Sequence, residues 1–118
     1  MIKRLFIAVA LCAAAVCFSA SPAKAQATWF YVATAIDVQG TESVFSNEVS
    51  AIVPLQGTHT VALTCTEPAG SAVGFNFYRG KVSGGPYARQ NSLPTTACAF
   101  TDKFSAPPAP VLAPPVVN

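Results

Sequence analysis

From Thr28 to Ser50 the chain alternates with the period of a β-strand and then turns back on itself, and this constrains the fold more than anything else in it. Trp29, Tyr31, Ala33 and Ala35 interleave with Phe30, Val32, Thr34 and Ile36, so both faces of the strand are expected to meet apolar material. Asp37-Val38-Gln39-Gly40 supplies turn chemistry, and Val44, Phe45 and the run from Ser46 to Val53 are expected to resume an extended, half-polar strand before Pro54. A hairpin is therefore expected at the start of the domain.

Further along, Thr60 to Thr66 alternates with Val61, Leu63 and Cys65 on one face. Val73 to Arg79 places Val73, Phe75 and Phe77 on one side, with Asn76 and Tyr78 on the other. Gly80 to Pro86 reads as a glycine-rich turn whose glycines take positive φ, Tyr87 to Gln90 as a short strand, and Ala97 to Thr101 as the last strand. After the first 25 residues no helical period of any length appears.

Met1 to Ala25 has the layout of an export signal: Lys3 and Arg4 at the start, an apolar core from Leu5 to Phe18, and Ala23-Lys24-Ala25 as a small-x-small cleavage site. That core is too short to span a bilayer comfortably, which leaves an uncleaved membrane anchor as the minor alternative; lipidation at Cys17 is weaker, since Ala15 and Val16 are a poor approach to a lipidated cysteine. From Ser105 the chain becomes proline-rich and lacks the N–H donors for a ladder, so 105–118 is expected as a disordered, polyproline-type tail. The divisions are 1–25 signal, 26–104 β-sandwich and 105–118 tail.

Two stretches resemble the fibronectin type III domain of bacterial extracellular proteins. Tyr31 to Asp37, Gly40 to Ser43 and Ser46 to Ala51 are similar to its last strands, F and G. Val61-Ala62-Leu63, then Gly74-Phe75-Asn76-Phe77-Tyr78-Arg79-Gly80 through Ser83-Gly84-Gly85-Pro86-Tyr87, and finally Phe100-Thr101-Asp102 are similar to strands B, C with its turn, and E. The order is F-G-B-C-C′-E, with strand A missing. The resemblance implies an all-β, immunoglobulin-like sandwich, circularly permuted or truncated. Such a chain can close, because Pro54 to His59 has to cross only about 10 Å between the sheets and six residues span about 20 Å. The new ends, near Thr28 and Asp102, would meet at a surface corner.

Departures from the family pattern carry their own expectations. Trp29 stands where the family has the corner tyrosine, which removes a hydroxyl but retains the burial. Cys65 replaces a core tryptophan of strand B. Since strands B and E are neighbours in the family's smaller sheet, the resemblance implies a Cys65–Cys98 disulfide, closing a loop of about 34 residues and worth about 3–4 kcal/mol. Two buried free thiols are the alternative. Without strand A, the edge carrying Thr60, Ala62, Thr64 and Thr66 is expected to lie open to another strand: a second copy, a neighbouring protein or the Val116-Val117 end.

Chemistry is sparse. His59, the single histidine, lies in a connector with no flanking nucleophile motif. One histidine and two paired cysteines cannot assemble a zinc site, the glycines miss phosphate-loop spacing, and the carboxylates are scattered. No cofactor, metal site or catalytic residue is expected. Once Lys3, Arg4 and Lys24 leave with the signal, Arg79, Lys81, Arg89 and Lys103 face Asp37, Glu42, Glu48, Glu67 and Asp102, so the net charge falls from +2 to one below neutral. That balance leaves no electrostatic footprint for nucleic acid or anionic membrane, and self-association is little opposed. Arg79, Lys81, Tyr87 and Arg89 are candidates for a small surface patch suited to sugar or polyanion contact, with snorkelling surface side chains that hold no ligand as the commoner alternative. The expected function is a non-catalytic module, secreted, periplasmic or at the cell surface, for protein or polysaccharide contact or spacing. Its rivals are a remnant of tandem domains with no independent function and a small secreted enzyme or inhibitor.

Overall fold

The computed structural model describes residues 9–13, 26–66 and 72–116. These build seven strands in chain order: β1 (Val9–Ala13), β2 (Gln26–Ile36), β3 (Val49–Pro54), β4 (Val61–Cys65), β5 (Gly74–Gly80), β6 (Tyr87–Arg89) and β7 (Ala99–Asp102). Every pairing is antiparallel, in one sheet ordered β1-β4-β7 and another ordered β3-β2-β5-β6. No helix occurs among the described residues, so none there is long and apolar enough to cross a membrane.

The alternation in β2 becomes two packed faces. Tyr31, Ala33 and Ala35 point into the space between the sheets, where they join Ala51, Val53, Val61, Leu63, Phe75 and Phe77 in one core. Val32 faces the other way and packs with Tyr78, Tyr87, Phe30 and Phe45 in a second, outer cluster. β5 is buried on both sides for the same reason, with Phe75 and Phe77 inward and Asn76 and Tyr78 outward. The halves of the chain thus share one interior, because Tyr31 and Leu63 lie in the same core.

The hairpin differs from its expected form in one segment. β3 begins at Val49, not at Val44, and residues 43–48 are held beside β2 through serine side chains. Ser43 and Ser46 donate their N–H groups to the carbonyls of Ala35 and Ala33, both at 2.8 Å. Their hydroxyls accept the N–H groups of those same alanines at 3.0 and 2.9 Å. Side-chain oxygens thus satisfy backbone donors that a ladder would have used. The turn before them is closed by Asp37, whose Oδ1 accepts the N–H groups of Gln39 and Thr41, with Gly40 at φ +84°.

Gly84 and Gly85 adopt positive φ as expected, but Gly80 does not; it lies within β5, where a Cβ would sit 2.5 Å from the Pro86 carbonyl oxygen. Close backbone approach, not turn geometry, demands glycine there.

Both ends of the described chain lie against the sandwich. The β4 edge at Thr60 to Thr66 is not open in the whole chain, because Val9–Ala13 pairs along it from Val9 opposite Cys65 to Ala13 opposite Val61. An apolar five-residue run occupies that edge. The expected cleavage site at Ala23-Lys24-Ala25 lies outside the described residues. The proline-rich tail, expected as a disordered spacer, runs back against β6: the Arg89 N–H donates to the Leu112 carbonyl at 2.9 Å, and Pro114 is buried. Its apolar residues line a small cavity with Phe45 and Tyr87, so the tail covers part of the outer cluster.

Cys65 and Cys98 form a disulfide with their Cα atoms 5.1 Å apart, and the Cys65 N–H donates to the Cys98 carbonyl at 2.8 Å. Replacing both by serine should lower the free energy of unfolding by about 3–4 kcal/mol. Urea titration would show this as an earlier midpoint with a steeper slope, because the unlinked denatured chain is less compact, and an unmoved midpoint would rule out a stabilising cross-link.

Candidate binding surface

All three tyrosines of the chain donate their hydroxyls to carboxylates. Tyr31 bonds Asp102 at 2.7 Å, Tyr78 bonds Glu42, and Tyr87 bonds Glu48. The sequence had these carboxylates scattered; the fold gives each a structural partner.

Asp102 is the most demanding of them. It is 2 % exposed at the end of β7, and Arg79 Nη1 from β5 reaches its two oxygens at 2.9 and 3.0 Å. The Phe104 N–H donates to the same Oδ1 at 2.9 Å. One carboxylate thereby joins β2, β5 and β7, which belong to both sheets and both halves of the chain. Burial first, then the hydrogen bond from its hydroxyl to Asp102, pushes the Tyr31 phenol well above its ordinary value.

Above the ion pair lies an aromatic clamp. The Arg79 guanidinium carbon is 4.9 Å from the Trp29 ring centroid and 5.1 Å from that of Phe104, and the two rings are 5.5 Å apart. Phe104 has φ +60°, a left-handed conformation unusual for an aromatic residue; the bond from its N–H to Asp102 and its ring contacts hold it there.

Glu48 is placed differently. Its carboxylate takes Ser83 Oγ and the Gly84 N–H, both at 2.7 Å, together with the Tyr87 hydroxyl, so it pins the glycine turn to the start of β3. Burial alone would raise its carboxyl, but the Tyr87, Gly84 and Ser83 donors outweigh that and hold it below the usual glutamate value. Tyr87 moves the opposite way, pushed up to about 12 by burial and by its bond to Glu48. Glu42 accepts from Tyr78, Thr34 and Asn76 on the outer face of the sheet.

The expected patch of Arg79, Lys81, Tyr87 and Arg89 does not form as one surface. Strand register sets Arg79 opposite Ala88, on the inward face, whereas Tyr87 and Arg89 alternate to the outward face with Tyr78. Arg79 is committed to Asp102, and Tyr87 is buried against Glu48. Arg89 is half-buried and reaches the Ser92 carbonyl at 3.5 Å. Lys81 alone of the four is exposed, with its Nζ 5.7 Å from the Trp29 ring.

What the structure assembles in place of that patch is a pole centred on Trp29. On one side a groove of about 610 Å3 runs between Trp29, Lys81, Val82 and Tyr87 and the tail residues Pro107 and Val111. On the other, a cleft of about 320 Å3 lies between Trp29, Leu55, His59, Lys103 and Phe104. Trp29 is half-buried and lines both. The periodicity of β2 placed Trp29 on the core phase, and it does pack against that core; what the sequence did not mark is that its partly exposed ring would also line two surface grooves. His59 sits in the connector with Nε2 on the Gln56 carbonyl. No group of three or more metal-ligating side chains occurs among the described residues.

Two outcomes are expected. Asp102→Asn strands the Arg79 charge and should cost about 3–5 kcal/mol, whereas Tyr31→Phe leaves the ion pair intact and should cost about 1.5–3 kcal/mol. Equal costs in denaturant titrations would show that the ion pair carries no more than the phenol bond. Folded Tyr87 keeps its proton to about pH 12 while an unfolded tyrosine releases it near about pH 10. Stability from this group is therefore complete below about pH 10 and lost as pH rises through about 12, so phenolate absorbance and loss of fold should appear together on alkaline titration.

No family model matches the chain, and no curated protein or solved structure matches it either.

Proposed function

We propose that the chain is an exported, non-catalytic β-sandwich module of the fibronectin type III kind, in permuted strand order, which contacts an extended protein or polysaccharide segment through the Trp29 pole. The sheet orders support the family reading. With β2 and β3 taken as F and G, β4 as B, β5 and β6 as C and C′, and β7 as E, they become B-E flanked by β1, and G-F-C-C′. β1 then stands in the position of strand A. The disulfide supports a secreted, periplasmic or surface setting, since such bonds persist in oxidising compartments.

The observation that carries the contact reading is that Trp29 lines two grooves at once with a lysine near it in each, Lys81 on one side and Lys103 on the other. Extended chains with faces that stack on an aromatic ring suit such a site, and lysines at its margin add hydrogen-bond donors to hydroxyls or carbonyls. The tyrosine-bound carboxylates and Arg79 are occupied within the fold, so they contribute rigidity and no reactive group.

Because Trp29 is the only tryptophan, its fluorescence reports on this pole alone. Titration with soluble polysaccharides and with extended peptides should shift the emission for one class, and Trp29→Ala should weaken that binding by about tenfold or more, the loss of a 1.4 kcal/mol contact. Binding that survives Trp29→Ala unchanged, or no response to either class, would sink the proposal.

A further inference from the structure

We propose that removal of the first 25 residues uncovers the β4 edge and that a second copy of the chain takes it, β4 against β4, in a two-fold antiparallel pair. The proposal rests on the export reading above, since the edge opens only when Val9–Ala13 is released.

The choice of occupant comes from a comparison within the chain. The strand now on β4 reads Val9-Ala10-Leu11-Cys12-Ala13, and β4 itself reads Val61-Ala62-Leu63-Thr64-Cys65, so the two share Val-Ala-Leu at their starts. The observed register sets Val9 opposite Cys65, Ala10 opposite Thr64 and Leu11 opposite Leu63. A second β4 laid down in that register puts Val61 opposite Cys65, Ala62 opposite Thr64, and Leu63 opposite its own counterpart. The same three residues then fall at the same three places. Leu63 at the centre of its own pairing is also what a two-fold axis requires, because an isologous interface matches one surface to itself.

Backbone polarity agrees. The Cys65 N–H points to β7, where the Cys98 carbonyl accepts it, so by alternation the N–H groups of Ala62 and Thr64 point to the other edge. In the two-fold pair Ala62 of each copy exchanges both backbone bonds with Thr64 of the other. Thr64 is exposed and uncharged, and no charged residue lies in β4 to repel a copy of itself. There is also a need for a third strand. Without β1, β4 keeps only β7 beside it among the described strands, and its outward N–H and C=O groups lose the ladder that satisfied them. Pairing through β4 replaces the three-stranded sheet with a four-stranded one, β7-β4-β4-β7, continuous across both copies, with the inward Leu63 side chains adjacent at the axis.

The whole chain, expressed with its own first 25 residues in a secreting host, tests this. Mass spectrometry of the exported protein reads its N-terminus, light scattering its mass, and amide exchange the protection at Ala62 and Thr64. The expected result is an exported chain beginning near Gln26 that is a dimer, with slow exchange at both amides, while the unprocessed precursor is a monomer. Thr64→Pro removes an outward N–H without touching the β7 ladder, and should weaken dimerisation by about tenfold or more at an unchanged disulfide and melting profile of the subunit. Thr64→Ser should leave the dimer intact. A processed monomer, a processed dimer with fast exchange at Ala62 and Thr64, or a dimer indifferent to Thr64→Pro overturns the pairing and leaves export standing. A chain that keeps residues 1–25 overturns the export reading, and the pairing with it.

Discussion

The Asp102 carboxylate is the constraint on which the rest of the structure depends. It lies almost fully inside the protein, on the last strand of one sheet, and is neutralised by Arg79 from the other. Taking both charges out of water is costly, and the attraction between them offsets that cost only when the remaining lone pairs are satisfied. Here they are, by the Tyr31 hydroxyl and the Phe104 N–H. The net stabilisation from such a pair is modest, yet its geometry is exacting: β2, β5 and β7 have to arrive in one register for it to form. In a chain whose first-written strands close onto strands written later, this is a condition that wrongly docked halves cannot meet.

The same logic repeats on the outer face at lower stakes. Glu42 gathers Thr34, Asn76 and Tyr78 across β2 and β5, and Glu48 gathers the glycine turn and Tyr87. Phenol hydroxyls that would otherwise be buried unsatisfied are given strong acceptors. The consequence for function is subtractive. Four of the five carboxylates, counting Asp37 in its turn, hold backbone or tyrosine in place, which directs attention to the strand edges and to the Trp29 pole.

Strands were legible wherever a buried face imposes period two. β2, β4 and β5 lie within a residue or two of their expected limits, because Tyr31, Leu63 and Phe75 must all reach one core. The Cys65–Cys98 pairing was legible through a family resemblance, since neither its spacing nor its composition singles it out. Three features were not. Ser43 and Ser46 look like ordinary half-polar strand residues, and only the three-dimensional path reveals that their hydroxyls replace ladder acceptors. Arg79 and Arg89 look like members of one patch until strand register sends them to opposite faces. The tail's course was not legible from composition, because a lack of N–H donors forbids a ladder but does not prevent Ala113, Pro114 and Val116 from lining a cavity with Phe45 and Tyr87.

The opening segment shows why a composition argument and a structural one can both hold for the same residues. A run such as Val9–Ala13 is apolar enough to serve an export signal and, for the same reason, regular enough to complete a sheet. While it is attached, its effective concentration at the β4 edge is on the order of millimolar, so a second molecule at cellular concentration competes poorly for the same backbone groups. Detachment removes that advantage in a single step. The near-repeat of Val-Ala-Leu in β1 and β4 then means that the incoming strand meets the backbone and register that the departing one left. On the proposed pairing, association would be tied to the covalent state of the chain's beginning, not to any change at the Asp102 tie, which lies outside both β1 and β4.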